Sequence, residues 1–365
     1  MSQILREEEI NDIMIGSTFF GAGGGGSPRD GKKLIDDLKS KGMARVTMID
    51  FRDMKDDEHA VMIAEFGSPK AFLEVKSFPE TVKAFEVLKE VSEEKGKRIA
   101  YVMAGELGGF NTIVPMYVSA LKGVPFLNSD AQGRAVPELS TCLYNVHHFS
   151  FSPFVMAGHT GDYVVAHLNN PHDHSAAENI ARHMAMAYGS RAGFAGIEAN
   201  RRDIEEKLVP DSIILCMNVG KAFKEASDLK ELVNTLVKAC GAMKIFEGEI
   251  EKIEVKTEGG FDYGVTTIKG SGEYRGESIS VSFKNENILC QNSSGKVIGT
   301  VPDLITLVDA EDLRPLTNAD TGEGQRVAVF GLRAPDAWFK SPEGFNCWKH
   351  ILSKLGYNGS YIPVI

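Results

Sequence analysis

The hydrophobic pattern of this chain changes its period near residue 240, and that change constrains the fold more than any other feature. Before it, apolar runs alternate with segments of helical spacing. RIAYVMA at Arg98–Ala104, for example, is typical of a strand buried on both faces. After it, Ile279, Val281 and Phe283 alternate with serines, as in half-buried strands. We therefore predict an α/β fold, with a mostly parallel sheet and helical cover, plus a second, β-rich domain of barrel or sandwich type.

The length of 365 residues is enough for about two domains. We predict an N-terminal α/β domain over residues 1–175, with a helical and α/β continuation over residues 176–240. The β-rich domain is expected over residues 241–335. A helical tail over residues 336–365 is expected to pack back on the first domain.

The charge balance narrows the class of partner. The chain has 40 Lys and Arg against 50 Asp and Glu, a formal net charge of −10, and its basic residues are scattered. Proteins that bind a phosphate backbone cluster their basic residues instead. No apolar run reaches the roughly 18 residues of a membrane span, and the 5 cysteines never form C-x-x-C. We expect a cytoplasmic protein with a small-molecule substrate and no nucleic-acid or membrane partner; a homo-oligomer is left open.

A cluster of glycines at residues 21–26 is the most unusual local sequence. Its backbone N–H groups can converge on a negative charge, and the helix predicted after Pro28 adds its dipole. The predicted substrate-binding residues of this loop are Gly23, Gly24, Gly25 and Gly26. The cluster also satisfies G-x-G-x-x-G, with Asp50 roughly where a ribose-binding acid would stand, so dinucleotide binding is an alternative. A purely structural turn is the other alternative.

Two polar loops follow consecutive predicted strands. One carries Glu106, and the other begins near Asp130. Because ligands of open α/β sheets bind at the carboxyl ends of strands, we expect both loops at one edge of the sheet. Carboxylates there can move protons or hold a metal, and a guanidinium can clamp a substrate carboxylate. The predicted catalytic residues are Asp130, Glu138 and Glu106. The further predicted substrate-binding residues are Asn111, Gly133 and Arg134. The alternative is an ion network that fixes the second loop.

Histidines and cysteines give weaker signals. His172 and His174 form an H-x-H pair, but the pair stands directly before a capping box at Ser175, and an exposed loop explains it equally well. Cys142 is the only cysteine near the acidic loops, where a buried apolar role suits it better than a metal ligand or nucleophile. These residues assign no metal ligands.

Several motifs occur in order along nearly the whole chain. They are FGAGGGGSP (residues 20–28), GELGGFN (105–111), SDAQGRAVPEL (129–139), FKNENI (283–288), VPDLITLVD (301–309) and RVAVFG (326–331), with Trp338 after them. In this combination the chain resembles the S-methyl thiohydantoin desulfurase domain family, which is linked to hydantoin utilisation. The resemblance implies a cytoplasmic protein with an α/β domain and a β-rich domain. One departure is Asn128, where relatives often carry an acid.

The resemblance also implies a function. It implies that the family includes metal-dependent hydrolases, with zinc as the metal, that remove sulfur from thiohydantoin-type rings. We therefore expect a metal-dependent hydrolase of a small hydantoin or thiohydantoin ring, with Zn²⁺ as cofactor and its ligands unassigned. Asp130 or Glu138 would bind the metal or act as base, and Arg134 with the glycine loop would hold the substrate's negative charge. A non-catalytic partner subunit of a hydantoinase-type enzyme and a dinucleotide-dependent oxidoreductase are the alternatives.

Overall fold

The computed structural model describes residues 2–67, 75 and 77–365. Helices cover a first sheet, and a second sheet follows it in the chain. The helices are α1 (Glu7–Phe20), α2 (Pro28–Ser40), α3 (Pro79–Glu94), α4 (Ile113–Lys122), α5 (Leu143–Val146), α6 (His174–Ala187), α7 (Arg201–Lys207), α8 (Ser212–Glu225), α9 (Leu229–Cys240), α10 (Glu343–Asn346) and α11 (Lys349–Lys354). Within the described ranges, no helix combines the length and the apolar character needed to cross a membrane.

The first sheet is built from the N-terminal part of the chain. Its strands are β1 (Ser2–Arg6), β2 (Arg45–Ile49), β3 (Glu58–Gly67), β4 (Arg98–Ala104), β5 (Phe126–Asp130), β6 (Phe154–Ala157), β7 (Tyr163–Ala166), β8 (Arg191–Ala199) and β9 (Val209–Pro210). Their order is β1-β2-β5-β4-β3-β8-β6-β7, with β9 paired to β5. The strand predicted from RIAYVMA is β4, and it lies in the middle of this sheet.

This sheet is mixed rather than mostly parallel. Its core, β2-β5-β4-β3, is parallel, and helices α3 and α4 make the crossovers that parallel neighbours need. The other described strands, β1, β6, β7, β8 and β9, pair antiparallel with their neighbours. The prediction of a mostly parallel sheet is therefore confirmed only for the core. The short turn between β6 and β7 makes a hairpin, and β8 returns antiparallel beside β3.

The second sheet confirms the predicted β-rich domain. Its strands are β10 (Met243–Glu258), β11 (Phe261–Gly270), β12 (Ser278–Lys284), β13 (Glu286–Asn292), β14 (Val297–Thr300), β15 (Leu304–Asp309), β16 (Arg314–Pro315) and β17 (Arg326–Leu332). The order is β14-β13-β12-β11-β10-β17-β15-β16, with antiparallel pairing between neighbours. Ile279, Val281 and Phe283, the apolar members of the alternating run on β12, are buried.

A close helix crossing fixes the position of the glycine cluster, which begins where α1 ends. Helices α1 and α8 pack so closely that a Cβ on Gly16 would lie 1.8 Å from the Cys216 carbonyl oxygen. A Cβ on Gly220 would lie 1.8 Å from the carbonyl oxygen of Asp12 in the same crossing. Any larger residue at either position would force the helices apart and move the end of α1.

Main-chain hydrogen bonds join the glycine cluster to the second sheet. The Asn287 N–H donates to the Ala22 carbonyl at 2.8 Å, and the Asn318 N–H donates to the Gly23 carbonyl at 2.7 Å. The C-terminal segment also contacts the first domain, because the Trp338 indole donates to the Gln132 carbonyl at 2.8 Å. The two sheets are thus fastened together around the loop that follows α1.

Candidate functional site between the two sheets

A cavity of about 550 Å³ opens between the carboxyl ends of β3 and β4 and the hairpins of the second sheet. The loops after β4 and β5 and helix α6 form one wall, and the tips of the β10–β11 and β12–β13 hairpins form the other. The lining side chains that matter below are Glu65, Glu106, Asn111, Gln132, Glu138, Tyr144, Glu178, Arg182 and Glu286. This volume is that of a small-molecule site.

Glu106 lies just beyond the carboxyl end of β4. Its Oε2 accepts the Val136 N–H at 2.8 Å, and its Oε1 accepts the Asn111 side-chain amide. Burial raises the pKa of Glu106 to about 7 although these hydrogen bonds oppose the rise, and the nearby Asp130 carboxyl raises it further. A carboxyl group that titrates near neutrality can both accept and donate a proton.

Glu286 comes from the second sheet and meets the glycine loop. A Cβ on Gly24 would lie 2.0 Å from Glu286 Oε1, so only glycine leaves room for this carboxyl group. Burial and the neighbouring Glu106 raise the pKa of Glu286 well above its usual value, against the attraction of Arg134. Its Oε2 has no hydrogen-bond partner among the described residues. The loop predicted to hold a ligand's negative charge therefore contacts a carboxyl group of the protein itself.

Glu138 lines the same cavity in a different environment. It forms short contacts with the Lys284 ammonium and the His350 ring, and the Ser140 hydroxyl donates to it at 2.5 Å. Burial alone would raise the pKa of Glu138, but the hydrogen bonds from His350, Lys284 and Ser140 outweigh it and lower the pKa to about 2. Glu138 is therefore a fixed negative charge that balances a lysine with a side chain only 3% exposed.

Asp130 and Gly133 lie behind the cavity wall rather than on it. The Asp130 Oδ2 accepts the N–H groups of Gln132 and Gly133, each at 2.7 Å, which closes a tight turn. Burial raises the pKa of Asp130 to about 6 despite these two hydrogen bonds. Gly133 has a φ of 67°, and a Cβ there would lie 2.3 Å from Pro335. Both residues shape the loop that carries Gln132 into the cavity.

Arg134 is completely buried and is also not among the lining residues. Its Nη1 donates to the carbonyls of Pro302 and Asp303 at 2.7 and 2.9 Å, and its Nη2 donates to the Asn287 carbonyl at 3.2 Å. Its guanidinium carbon lies 4.9 Å from the centre of the Trp348 ring. The predicted substrate clamp is thus a link between the two domains, and one of its acceptors is the carbonyl of Asn287, the residue after Glu286.

The glycine loop and the loop after β4 pack directly on each other. The Gly25 carbonyl accepts the N–H groups of Phe110 and Asn111 at 3.3 and 3.1 Å, and a Cβ on Gly25 would lie 2.5 Å from the Gly108 Cα. The predicted residues of these two loops that line the cavity are Gly23, Gly24, Gly25, Gly26, Glu106 and Asn111. Glycine is therefore required there for packing, and the structure also leaves the loop facing the cavity.

Several residues that line the cavity are not among those predicted from the sequence. Glu286 and Gln132 lie inside the motifs FKNENI and SDAQGRAVPEL, so motif membership is a signal that could have identified them. Glu65, Tyr144 and Arg182 lie in ordinary strand or helix sequence, and no local pattern distinguishes them from structural residues. Their place on the cavity follows only from the three-dimensional fold.

The donor groups of this site do not fit a zinc ion. The described residues contain no group of three or more His, Cys, Asp or Glu side chains placed to hold a metal. His147 and His172 bond main-chain carbonyls. Cys142 lines the cavity but donates its thiol to the Leu139 carbonyl at 2.9 Å, and burial raises its pKa to about 12. A protonated thiol is not a zinc ligand, so no chemical step below passes through a metal.

The dinucleotide alternative lacks its structural context. The motif G-x-G-x-x-G binds a pyrophosphate where a strand turns into a helix, whereas here the cluster follows the helix α1. The Asp50 carboxylate is already engaged by Arg52, with N–O distances of 2.9 and 3.1 Å, and it does not line the cavity.

Fold and site together define a two-domain α/β protein with a small-molecule cavity between its domains. The model of the S-Me-THD-like N-terminal domain matches residues 8–167, and that of the S-Me-THD-like C-terminal domain matches residues 172–364. The chain therefore belongs to the S-Me-THD-like family, which confirms the resemblance to S-methyl thiohydantoin desulfurase.

A solved structure shares the whole fold. The X-ray crystal structure of a protein from Chromobacterium violaceum superimposes with a TM-score of 0.87, covers 100% of both chains and is 23% identical in sequence. A likeness at this level of identity concerns the fold. The comparison with curated proteins gives no match.

Proposed function

We propose that this protein is a hydrolase whose substrate is a small five-membered ring of the hydantoin or thiohydantoin type, with Glu106 and Glu286 as its acid–base pair. The observation that supports the proposal is that two carboxyl groups, one from each domain, line one small cavity, with Glu106 partly buried and Glu286 buried. Membership of the S-Me-THD-like family supports a hydantoin-related role.

Glu106 is the proposed general base. Its carboxyl group keeps a pKa of about 7, and Asn111 and the Val136 N–H hold both of its oxygens in place. A base of this strength is half ionised near neutrality, where it can take a proton from water without holding it too tightly. The loop carrying it is fixed by the glycine cluster, so the carboxyl group is preorganised.

Glu286 is the proposed general acid. Burial beside Glu106 raises the pKa of the Glu286 carboxyl group well above its usual value, which favours the protonated form, and one of its oxygens has no hydrogen-bond partner in the described part of the chain. Two neighbouring carboxyl groups with unequal proton affinities divide the roles of acid and base between them.

The proposed reaction on an S-methyl thiohydantoin consumes one water molecule. Water attacks the ring carbon that carries sulfur while Glu106 accepts a water proton, and a C–O bond forms. The carbon–sulfur bond then breaks, and Glu286 gives its proton to the departing sulfur, which leaves as methanethiol. The hydroxyl group left on that carbon gives up its proton, which ends on the ring nitrogen, and the carbon becomes a carbonyl group. The other water proton passes from Glu106 to Glu286 and replaces the proton given to the thiol, which restores the enzyme.

The other predicted residues have supporting roles in this proposal. Asp130 and Gly133 close the turn before Arg134, and Arg134 holds the carbonyl of the residue after Glu286. Glu138 is neutralised by Lys284 and stays ionised. Direct catalysis by Asp130 or Glu138 and participation of zinc stay predictions.

The test is an assay of the purified protein with hydantoin and S-methyl thiohydantoin rings as substrates. The assay measures the ring products and the methanethiol released. The Glu106→Gln variant is expected to lose about 10²- to 10⁴-fold in rate, the usual contribution of a general base. Glu58→Gln is the matched control, because Glu58 is a buried glutamate that accepts the Tyr101 hydroxyl at 2.7 Å and does not line the cavity.

Full turnover by Glu106→Gln would contradict the assigned base. A wild-type protein that neither binds nor converts any of these rings would contradict the function as a whole. Metal analysis of the same samples tests the expected zinc ion directly.

A further inference from the structure

Tyr144 stands at the start of helix α5 and lines the cavity. Its side chain is almost completely buried, with 1% of the residue exposed. The ring packs edge-on against Phe149, with 5.2 Å between the ring centres, and the Phe149 N–H donates to the Tyr144 carbonyl at 2.8 Å. These contacts hold the ring in one orientation.

The Tyr144 hydroxyl finds no hydrogen-bond partner among the described residues. The hydroxyl groups of two other buried tyrosines have partners. The Tyr117 hydroxyl donates to Asp37 at 2.6 Å, and the Tyr101 hydroxyl donates to Glu58 at 2.7 Å. Leaving a buried hydroxyl unbonded is unfavourable, and native structures rarely do so without a functional reason. The difference marks Tyr144 as the exception.

Two polar side chains that line the cavity together with Tyr144, those of Gln132 and Glu178, are already engaged within the protein. The Gln132 carboxamide accepts the Leu143 N–H at 2.6 Å and donates to the Gly105 carbonyl at 3.3 Å. Glu178 accepts the Leu139 N–H at 2.7 Å and pairs with a neighbouring arginine. Of these three described side chains, the Tyr144 hydroxyl is therefore the group left for a ligand.

We propose that Tyr144 binds the substrate, donating its hydroxyl hydrogen to an exocyclic oxygen or sulfur of the five-membered ring. The inference rests on the function proposed above and adds a specificity residue to it. Burial raises the pKa of the Tyr144 phenol well above its usual value, so the group stays a neutral donor through the working pH range. A ring without an acceptor at that position would leave the hydroxyl unbonded and bind more weakly.

The experiment compares Tyr144→Phe with Tyr117→Phe, a matched pair that each remove one buried hydroxyl. Tyr144→Phe is expected to keep or slightly raise the thermal midpoint, because its hydroxyl makes no hydrogen bond to any described residue. Its kcat/KM for the ring falls about tenfold or more. Tyr117→Phe is expected to lose about 2 °C in midpoint through the lost bond to Asp37 and to keep full kcat/KM.

The outcomes separate the two proposals. If the wild type is active and Tyr144→Phe has the same kcat/KM, the role of Tyr144 is overturned and the proposed function stands. A lower midpoint for Tyr144→Phe, with kcat/KM unchanged for the folded fraction, would overturn it in the same way by showing a structural hydroxyl. A wild type without turnover or ring binding would overturn both.

Discussion

Glu106 and Glu138 line the same cavity, yet the structure treats their carboxyl groups in opposite ways. Glu106 is partly buried, its hydrogen-bond donors are the uncharged groups of Asn111 and Val136, and removal from water raises its pKa to about 7 despite the attraction of Arg134. Glu138 is also partly buried, but the hydrogen bonds of Lys284 and His350 outweigh burial and lower its pKa to about 2. The accompanying cations, rather than the residue type, decide which group can exchange a proton.

Glu106 and Glu138 thus have different tasks, proton exchange and neutralisation of a buried lysine, although the sequence predicts a catalytic role for both. A carboxyl group without a cation pays a desolvation cost as an anion and is ready to hold a proton. A carboxylate that neutralises a buried lysine stays ionised, and its removal would leave that lysine as an uncompensated charge. Four experiments test this distinction between the two carboxyl groups.

The largest expected effect is on stability. Glu138→Gln leaves the Lys284 ammonium buried without its counter-charge and is expected to cost about 3–5 kcal/mol in the free energy of unfolding. Urea unfolding at pH 8 measures it, and the double variant with Lys284→Met should recover much of the loss. Glu106→Gln, the control, should cost little at that pH. Equal losses for Glu106→Gln and Glu138→Gln would remove the distinction.

A smaller effect is expected where the glycine loop meets Glu286. Gly24→Ala places a Cβ 2.0 Å from the Glu286 carboxyl oxygen and should destabilise the protein by about 1–3 kcal/mol while lowering turnover. Gly322→Ala is the control, because a Cβ there meets nothing within 4 Å. Thermal unfolding and the ring assay measure both variants. Full activity in Gly24→Ala would show that the position of Glu286 is not critical.

The dependence of rate on pH should follow Glu106. Because the ionised form is the base, kcat/KM is expected to rise about tenfold per pH unit below the Glu106 pKa of about 7 and to level off above it. The residual activity of Glu106→Gln should lack this limb. A limb that persists unchanged in the variant would assign the titration to another group.

The smallest effect is the dependence of stability on pH, where the two carboxyl groups act with opposite signs. The folded pKa of Glu106 lies above that of an unfolded glutamate, about 4.3, so its contribution to stability is lost as pH rises from about 4.3 to 7. The folded pKa of Glu138 lies below that of an unfolded glutamate, so its contribution to stability is lost as pH falls from about 4.3 to 2. The change of the thermal midpoint between pH 5 and pH 8 should be about 2 °C smaller in Glu106→Gln than in the wild type, and unchanged in Glu58→Gln. The same change in Glu106→Gln as in the wild type would refute the assignment.

Local sequence was enough to place much of the architecture. The buried run at β4 and the alternation on β12 are confirmed, because both depend on periodicity along a single element. The antiparallel position of β8 could not be read in the same way. A buried strand has a similar composition whichever direction its neighbour runs, and the direction is set by a return of the chain over more than 100 residues from β3.

The same limit applies to the cavity. The loops at the ends of β4 and β5 were expected at one edge because topology alone brings them together. Glu286 reaches Glu106 from the other domain, 180 positions along the chain, and no local pattern encodes such a contact. Arg134 shows the reverse case: a guanidinium beside two acids suggests a ligand, but only coordinates reveal that carbonyl groups already occupy its donors.

Strand β8 has a consequence for how this molecule can be divided. It lies between β3 and β6 in the first sheet, yet its residues 191–199 belong to the segment matched by the C-terminal family model. A fragment ending at residue 167 would leave both of those strands with open edges, and exposed edges promote aggregation. The segment matched by the N-terminal family model therefore depends on a strand from the other segment to complete its sheet.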